Sequence, residues 1–319
     1  MNTTREKTEI LEDQLRANLV ARDQNNPKEI AIRSRIQNLL LQHSWIDEAF
    51  TQVTKLQQEH LHQAVDHIRA GEHKQIHHIS QRIFSKVSQL FKSHVASNED
   101  EVLLSSIERN GPVIFTTNHL GLYKLCGIET NTFDVLISGY PRIYPYWAYS
   151  AGLYPLANLA GMNLTYVSNQ FPGIFHDIHQ ASGFVHVPFF DEKGIYCAVE
   201  AQVLEIIEKT PNTAIVYFPE GTTSGKPNES DPYHLAPFRR GAYALASNLE
   251  LPRVLVGQFF HPHEGLILKV LDVSRVPLTH EPKITCAEFA KRDQLVMQEW
   301  LDSMVAEAHP ELLALRIKQ

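Results

Sequence analysis

Cysteine is scarce in this chain of 319 residues: three occur, Cys126, Cys197 and Cys286, far apart and without paired spacing. That pattern excludes a disulfide framework and a cysteine-based zinc site, and it fits a reducing compartment. An excess of positive charge is missing too. Acidic and basic residues are interspersed and the formal net charge is -7. There is no basic stripe to follow a phosphate backbone, so nucleic acid is not an expected partner. Long hydrophobic runs are also lacking: no stretch of about twenty residues is apolar enough for a transmembrane helix. The N-terminus runs through Arg5, Glu6 and Lys7 rather than into an apolar signal core, so no secretory signal is expected. The expectation is a cytoplasmic chain whose contact with membranes, if any, is peripheral and at the inner face.

What is present is apolar content of 43%, ample for a continuous core, in a chain long enough for one large α/β domain and a smaller appendage. Residues 8–94 are polar and helix-favouring, with Ile10, Leu11, Leu15 and Leu19, then Ile76, Ile79, Ile83, Val87 and Leu90, at helical spacing. Residues 1–98 are read as an N-terminal helical domain and 99–319 as an α/β domain. In the latter, residues 112–117, 214–218 and 253–260 read as strands, with 267–273 as a further one. Residues 196–209, 238–249 and 286–309 read as helices. The fold class expected is α/β: a mixed central sheet flanked by helices and preceded by the helical region. Residues 143–176 contain no Asp, Glu, Lys or Arg. Buried core is the favoured reading there; a lining for an acyl chain or a shallow membrane-contacting face is the alternative.

Three segments carry residues suited to chemistry. Asn118-His119 directly follows the first strand, where a histidine on a rigid support can act as general base. Phe218-Pro219-Glu220-Gly221-Thr222-Thr223-Ser224 leaves the second strand. There Glu220 can orient an acceptor, and donors around Gly221, Thr222, Thr223 and Ser224 can stabilise developing negative charge; a plain capped turn explains the same residues. Pro237-Phe238-Arg239-Arg240-Gly241-Ala242 opens a helix, and Arg239 with Arg240 can hold a phosphate there, or can be a solvated pair.

Taken together, Asn118-His119, Phe218 to Thr222, the Phe238-Arg239-Arg240-Gly241 segment and Leu251-Pro252 before a strand resemble the glycerolipid acyltransferase family of lysophosphatidate and glycerol-3-phosphate acyltransferases. The likeness covers residues 112–260. It implies an acyltransferase that moves a fatty acyl group from an acyl-CoA or acyl carrier protein thioester to a hydroxyl or amine. His119 would be the base. The thioester is a co-substrate, and no cofactor or metal is implied. The helical N-terminal region resembles that of the soluble chloroplast-type members in architecture only.

Two positions depart from the family. It places an acid five residues after the histidine, and Lys124 stands there. A carboxylate steadies the imidazolium formed during attack, whereas an ammonium opposes it and lowers the histidine pKa. Glu129 or Asp134 could substitute, the reaction could need no strong base, or transfer activity could be lost. Residues 183–190 resemble the second motif but lack its phosphate-binding arginine, with Phe190-Asp191 in its place. That argues against glycerol-3-phosphate or lysophosphatidate as acceptor. A silent acyl- or carrier-protein-binding member and an acyl thioesterase are the alternatives. His73 and His77 have a spacing that can seat a metal, and His263 and Glu264 can reach a cleft, but a helix face and a turn explain them better. Cys197 reads as a packed thiol in a helix rather than a nucleophile.

Overall fold

Val113–Thr117 (β2) is buried at all five positions, as expected of a strand covered on both faces. It is the middle strand of a seven-stranded sheet in the computed structural model, which describes residues 43–105, 111–120, 153–169, 174–187, 195–221, 231, 233–277, 281–310 and 312. The expected helices before residue 43, Lys124, Glu129, Asp134, Phe190, Asp191 and the Thr222–Ser224 stretch lie outside the described residues, as do parts of residues 143–176.

In chain order the described elements are helices Ser44–Ala70 (α1) and His73–Leu90 (α2), strand His94–Val95 (β1), helix Asn98–Ser105 (α3), β2, helix Tyr154–Leu159 (α4), strand Asn163–Asn169 (β3), helix Ile174–Ala181 (α5), strand Val185–Val187 (β4), helix Ile195–Lys209 (α6), strand Thr213–Tyr217 (β5), helix Gly241–Asn248 (α7), strands Pro252–His261 (β6) and Gly265–Arg275 (β7), and helix Pro282–Ala308 (α8). The sheet order is β1-β7-β6-β2-β5-β3-β4. β6 and β7 form an antiparallel hairpin and every other neighbouring pair is parallel. The protein is therefore α/β, with a mixed sheet flanked by helices and a helical N-terminal region.

Alternation along the central strands divides the core. Val113, Phe115, Ala214 and Val216 join one cluster with Phe84, Val87 and Phe91 of the N-terminal segment and Met297, Leu301 and Val305 of α8. Ile114 and Ile215 join another with Val199 and Val203 of α6 and Ala242, Tyr243 and Ala246 of α7. Two clusters thus include residues from before position 98, and each also contains residues from the later part of the chain. The described part of the charge-free stretch is core: Leu153, Leu156, Ala157, Leu164 and Tyr166 are all buried.

Several polar fittings hold this frame. Arg253, near the start of β6, is fully buried, with its guanidinium 2.5 Å from Asp293 and paired with Asp272; Arg292 bridges both carboxylates. Burial raises the Asp293 pKa and the arginines pull it back. At the opposite margin of the sheet, Gln202 of α6 accepts from the His186 N–H and donates to its carbonyl, each at 3.0 Å. The Trp300 ring occupies the space beside Gly257 that a Cβ would need. Trp45, on α1, donates to the Pro262 carbonyl at 3.1 Å and carries the Lys92 ammonium 4.0 Å above its ring.

Among α1, α2 and α5 runs a buried polar chain. The His60 ring lies 3.2 Å from Ser80 Oγ, and Ser80 lies 2.9 Å from Ser182 Oγ. His77 reaches the Ser182 carbonyl at 3.1 Å and so serves packing at the end of α5, while His73 is exposed. No helix among the described residues is long and apolar enough to cross a membrane.

Candidate active site

In parallel α/β sheets, ligands bind outside the carboxyl ends of the strands. His119 stands there, two residues beyond β2, and Glu220 three residues beyond β5, on neighbouring strands. Two sequence segments about one hundred residues apart therefore meet for a simple reason of register. The meeting is direct: the His119 N–H donates to Glu220 Oε1 at 3.0 Å. The other Glu220 oxygen accepts from the Ala236 N–H at 2.8 Å. Glu220 is buried, so its carboxylate joins three chain segments through their backbones rather than lying open to solvent. Charge-assisted bonds of this kind are the stronger class.

His119 is half-buried, with its ring edge-on to Phe218 at 4.4 Å between centroids. Its backbone leaves the sheet by an unusual device. The β2–β6 ladder reaches Thr117 opposite Val256. At the next position the Asn118 side chain takes the place of a strand backbone. Its Nδ2 donates to the Gln258 carbonyl at 3.0 Å, and its Oδ1 accepts from the Gln258 N–H at 2.8 Å. The main chain is thereby released to turn toward β5, where Glu220 receives the next N–H. The Gln258 side-chain amide donates to Thr117 Oγ1 at 3.0 Å and to the Asn118 carbonyl at 3.1 Å. Its Oε1 is buried with no hydrogen-bond partner among the described residues, a state that costs about 1–3 kcal/mol.

Gly221 turns with φ +65 and gives its N–H to the Phe218 carbonyl at 3.0 Å. Its lack of a side chain also admits Arg239: a Cβ at 221 would lie 2.9 Å from the Arg239 guanidinium carbon. The Arg239 N–H donates to the Pro219 carbonyl at 2.7 Å. An exposed cation is thus seated directly on the glycine that follows Glu220. Arg240 is exposed at the N-cap of α7, and its charge acts on Cys286, opposing the rise that burial imposes on that thiol.

The loop bearing Arg239 is firmly held. Tyr233 donates its hydroxyl to the Phe260 carbonyl at 2.9 Å, Gln298 of α8 accepts from the Leu235 N–H at 2.9 Å, and Gln294 accepts from the Phe238 N–H at 3.3 Å. Catalytic geometry requires such support, since binding groups set on loops are otherwise imprecise.

The structure accordingly brings His119, Glu220, Gly221 and Arg239 together. It sets Arg240 toward α8 and leaves Thr222, Thr223, Ser224 and Lys124 outside the described residues. His263 and Glu264 lie in the β6–β7 turn, where both backbone N–H groups donate to His261 Nδ1. Among the described residues, no three His, Cys, Asp or Glu side chains gather as a metal-binding group. The Ala236 amide and the Gln258 side chain were not anticipated from sequence. The first has no side-chain signal; the second is a polar residue within the run Val254 to Phe260, where Gly257 is the other non-apolar interruption. No protein-family model matches the chain, and no curated protein matches it either.

Proposed function

We propose that the protein is an acyltransferase that carries a fatty acyl group from an acyl-CoA or acyl carrier protein thioester to a hydroxyl or amine acceptor. The observation that carries this reading is the Glu220 carboxylate bonded to the His119 backbone. It unites the two segments whose sequences resemble the acyltransferase motifs at the carboxyl end of the parallel strands.

In the proposed reaction His119 accepts the proton of the acceptor as its oxygen or nitrogen attacks the thioester carbonyl. The C–S bond then breaks and the thiol of the carrier leaves with a proton. Glu220, with both oxygens engaged by backbone amides, acts as a positioning group. Gly221 supplies the turn and a seat for Arg239, and the oxyanion is assigned to Thr222, Thr223 and Ser224. Arg239, with Arg240 as an outer charge, is the proposed phosphate contact for the phosphopantetheine arm. Phe190-Asp191 in place of the family's arginine points to an acceptor other than glycerol-3-phosphate. The location proposed with this activity is cytoplasmic, with peripheral contact to the membrane that holds fatty acyl acceptors.

Lys124, where the family has an acid, favours a second reading: a silent member that binds an acyl thioester or its carrier protein. Transfer to water, a thioesterase reaction, is a variant of the first. The test is loss of thioester from a panel of acyl-CoAs and acyl carrier proteins, with products separated into free acid and acylated acceptor. Wild-type turnover abolished by His119→Ala supports transfer or hydrolysis according to product. An inert wild type that still binds thioester, and gains turnover with Lys124→Asp, supports the silent reading.

A further inference from the structure

We propose that Gln258 is a positioning residue for His119: its side-chain amide and the Glu220 carboxylate clamp the Asn118–His119 peptide from opposite sides and fix the point from which the imidazole departs. The proposal rests on reading His119 as the reacting group.

A peptide unit is a rigid plane, so fixing its carbonyl and its N–H fixes its orientation. In the peptide joining residues 118 and 119 both are held. The Asn118 carbonyl accepts from Gln258 Nε2 at 3.1 Å, and the His119 N–H donates to Glu220 Oε1 at 3.0 Å. One partner comes from β6 and the other from the segment after β5, the two strands that flank β2. With the plane fixed, the position of the His119 Cα is fixed too, and the ring that extends from it meets Phe218 edge-on at 4.4 Å between centroids.

The remaining bonds of Gln258 serve the same end. Its Nε2 also reaches Thr117 Oγ1, and its backbone grips the Asn118 side-chain amide at both ends. The residue therefore braces the two consecutive positions leading into His119. Gln258 keeps one carbonyl oxygen buried without a partner among the described residues. An apolar side chain of similar volume would avoid that cost but would take the donor from the buried Asn118 carbonyl and the Thr117 hydroxyl, so the glutamine is tied to the two positions before His119. The Glu220 half of the clamp alone would leave the plane able to pivot about a single bond, and a displacement of about 1 Å at a reacting group can cost on the order of a hundredfold in rate.

The test uses full-length protein with isotope-labelled histidine rings, the His119 signal being identified by its loss in His119→Ala. Gln258→Met keeps the volume and removes the donor; Gln258→Asn keeps the amide but falls one methylene short, and serves if the first variant does not fold. Gln75→Met, exposed on α2 and away from this site, is the control. The expected result is a displaced His119 signal with a shifted titration midpoint in both Gln258 variants and no displacement in the control. With acyl thioester the same variants should lower kcat by about tenfold or more while KM stays within about twofold. A His119 signal and midpoint unchanged in a folded Gln258 variant overturns the proposal, whatever the wild type catalyses. A displaced signal in a protein that consumes no thioester upholds the clamp and removes the acyl-transfer reading, so the two failures are distinct.

Discussion

Gly257 shows how tightly single positions are constrained. The Trp300 ring fills the place of a side chain there, so Gly257→Ala should lower stability by about 1–3 kcal/mol through overpacking. Denaturant unfolding would read this as a lower midpoint, and Trp300→Leu combined with it should restore part of the loss. A different residue-level prediction concerns His60. Burial lowers its pKa from 6.5 to about 4, so the unfolded chain takes up a proton near pH 6.5 and the folded chain only near 4. Between those values the unfolded state binds more protons, and stability therefore rises with pH across this window. The contribution is complete above about 6.5 and is lost as pH falls toward 4; its size is about 3 kcal/mol. Urea titrations from pH 4 to 7 should show that slope, and His60→Gln should flatten it; an equally steep slope in the variant would refute the assignment. His119, Glu220, Gly221 and Arg239 were legible in the sequence because each sits at a strand exit or helix start, where register alone determines proximity. Gln258 was not legible, because its role depends on which strand neighbours β2, and single-strand patterns do not contain sheet order.

At the scale of elements, the long strands and helices could be read from their periods: β2, β5, β6 and β7, and α6, α7 and α8, fall where apolar spacing places them. β1, with two residues, is too short to have a period. β3 does carry an alternation at Leu164 and Tyr166, but absence of charge dominated the reading of that stretch and hid it. β4, a three-residue strand at the end of the sheet order, needs a separate explanation. Gln202 covers the outward N–H and carbonyl of His186, which blunts a margin that could pair with another chain. Gln202→Val should leave that margin open and favour self-association at high concentration, measurable as a mass increase by light scattering. Equal mass for variant and wild type at all concentrations would show that the edge is protected by something else.

Considered as a whole molecule, the composition change near residue 98 does not coincide with a change of core. Phe84, Val87 and Phe91 share a cluster with Phe115, Tyr166 and Phe259, and β1 pairs with β7 across the same boundary. A chain beginning at residue 99 would expose those sheet residues, and it should be insoluble or lack a cooperative melting transition. A soluble fragment that melts as sharply as the full chain would contradict this. The fold class was legible from alternating strand and helix patterns, while the shared core was not, because helical periodicity shows which face is apolar and not what it packs against.

Trp45 draws these distant parts into one point, since its indole touches both the Pro262 carbonyl and the Lys92 ammonium while belonging to α1. The indole is consequently a built-in optical gauge. With Trp147 and Trp300 replaced by phenylalanine, its emission should shift to longer wavelength when α1 leaves the β6–β7 turn. Nearby, burial and the charges of His263, His261 and Lys92 disfavour protonation of His43. Acidification should therefore work against the docking of this helix end, and the colour of one side chain would report it.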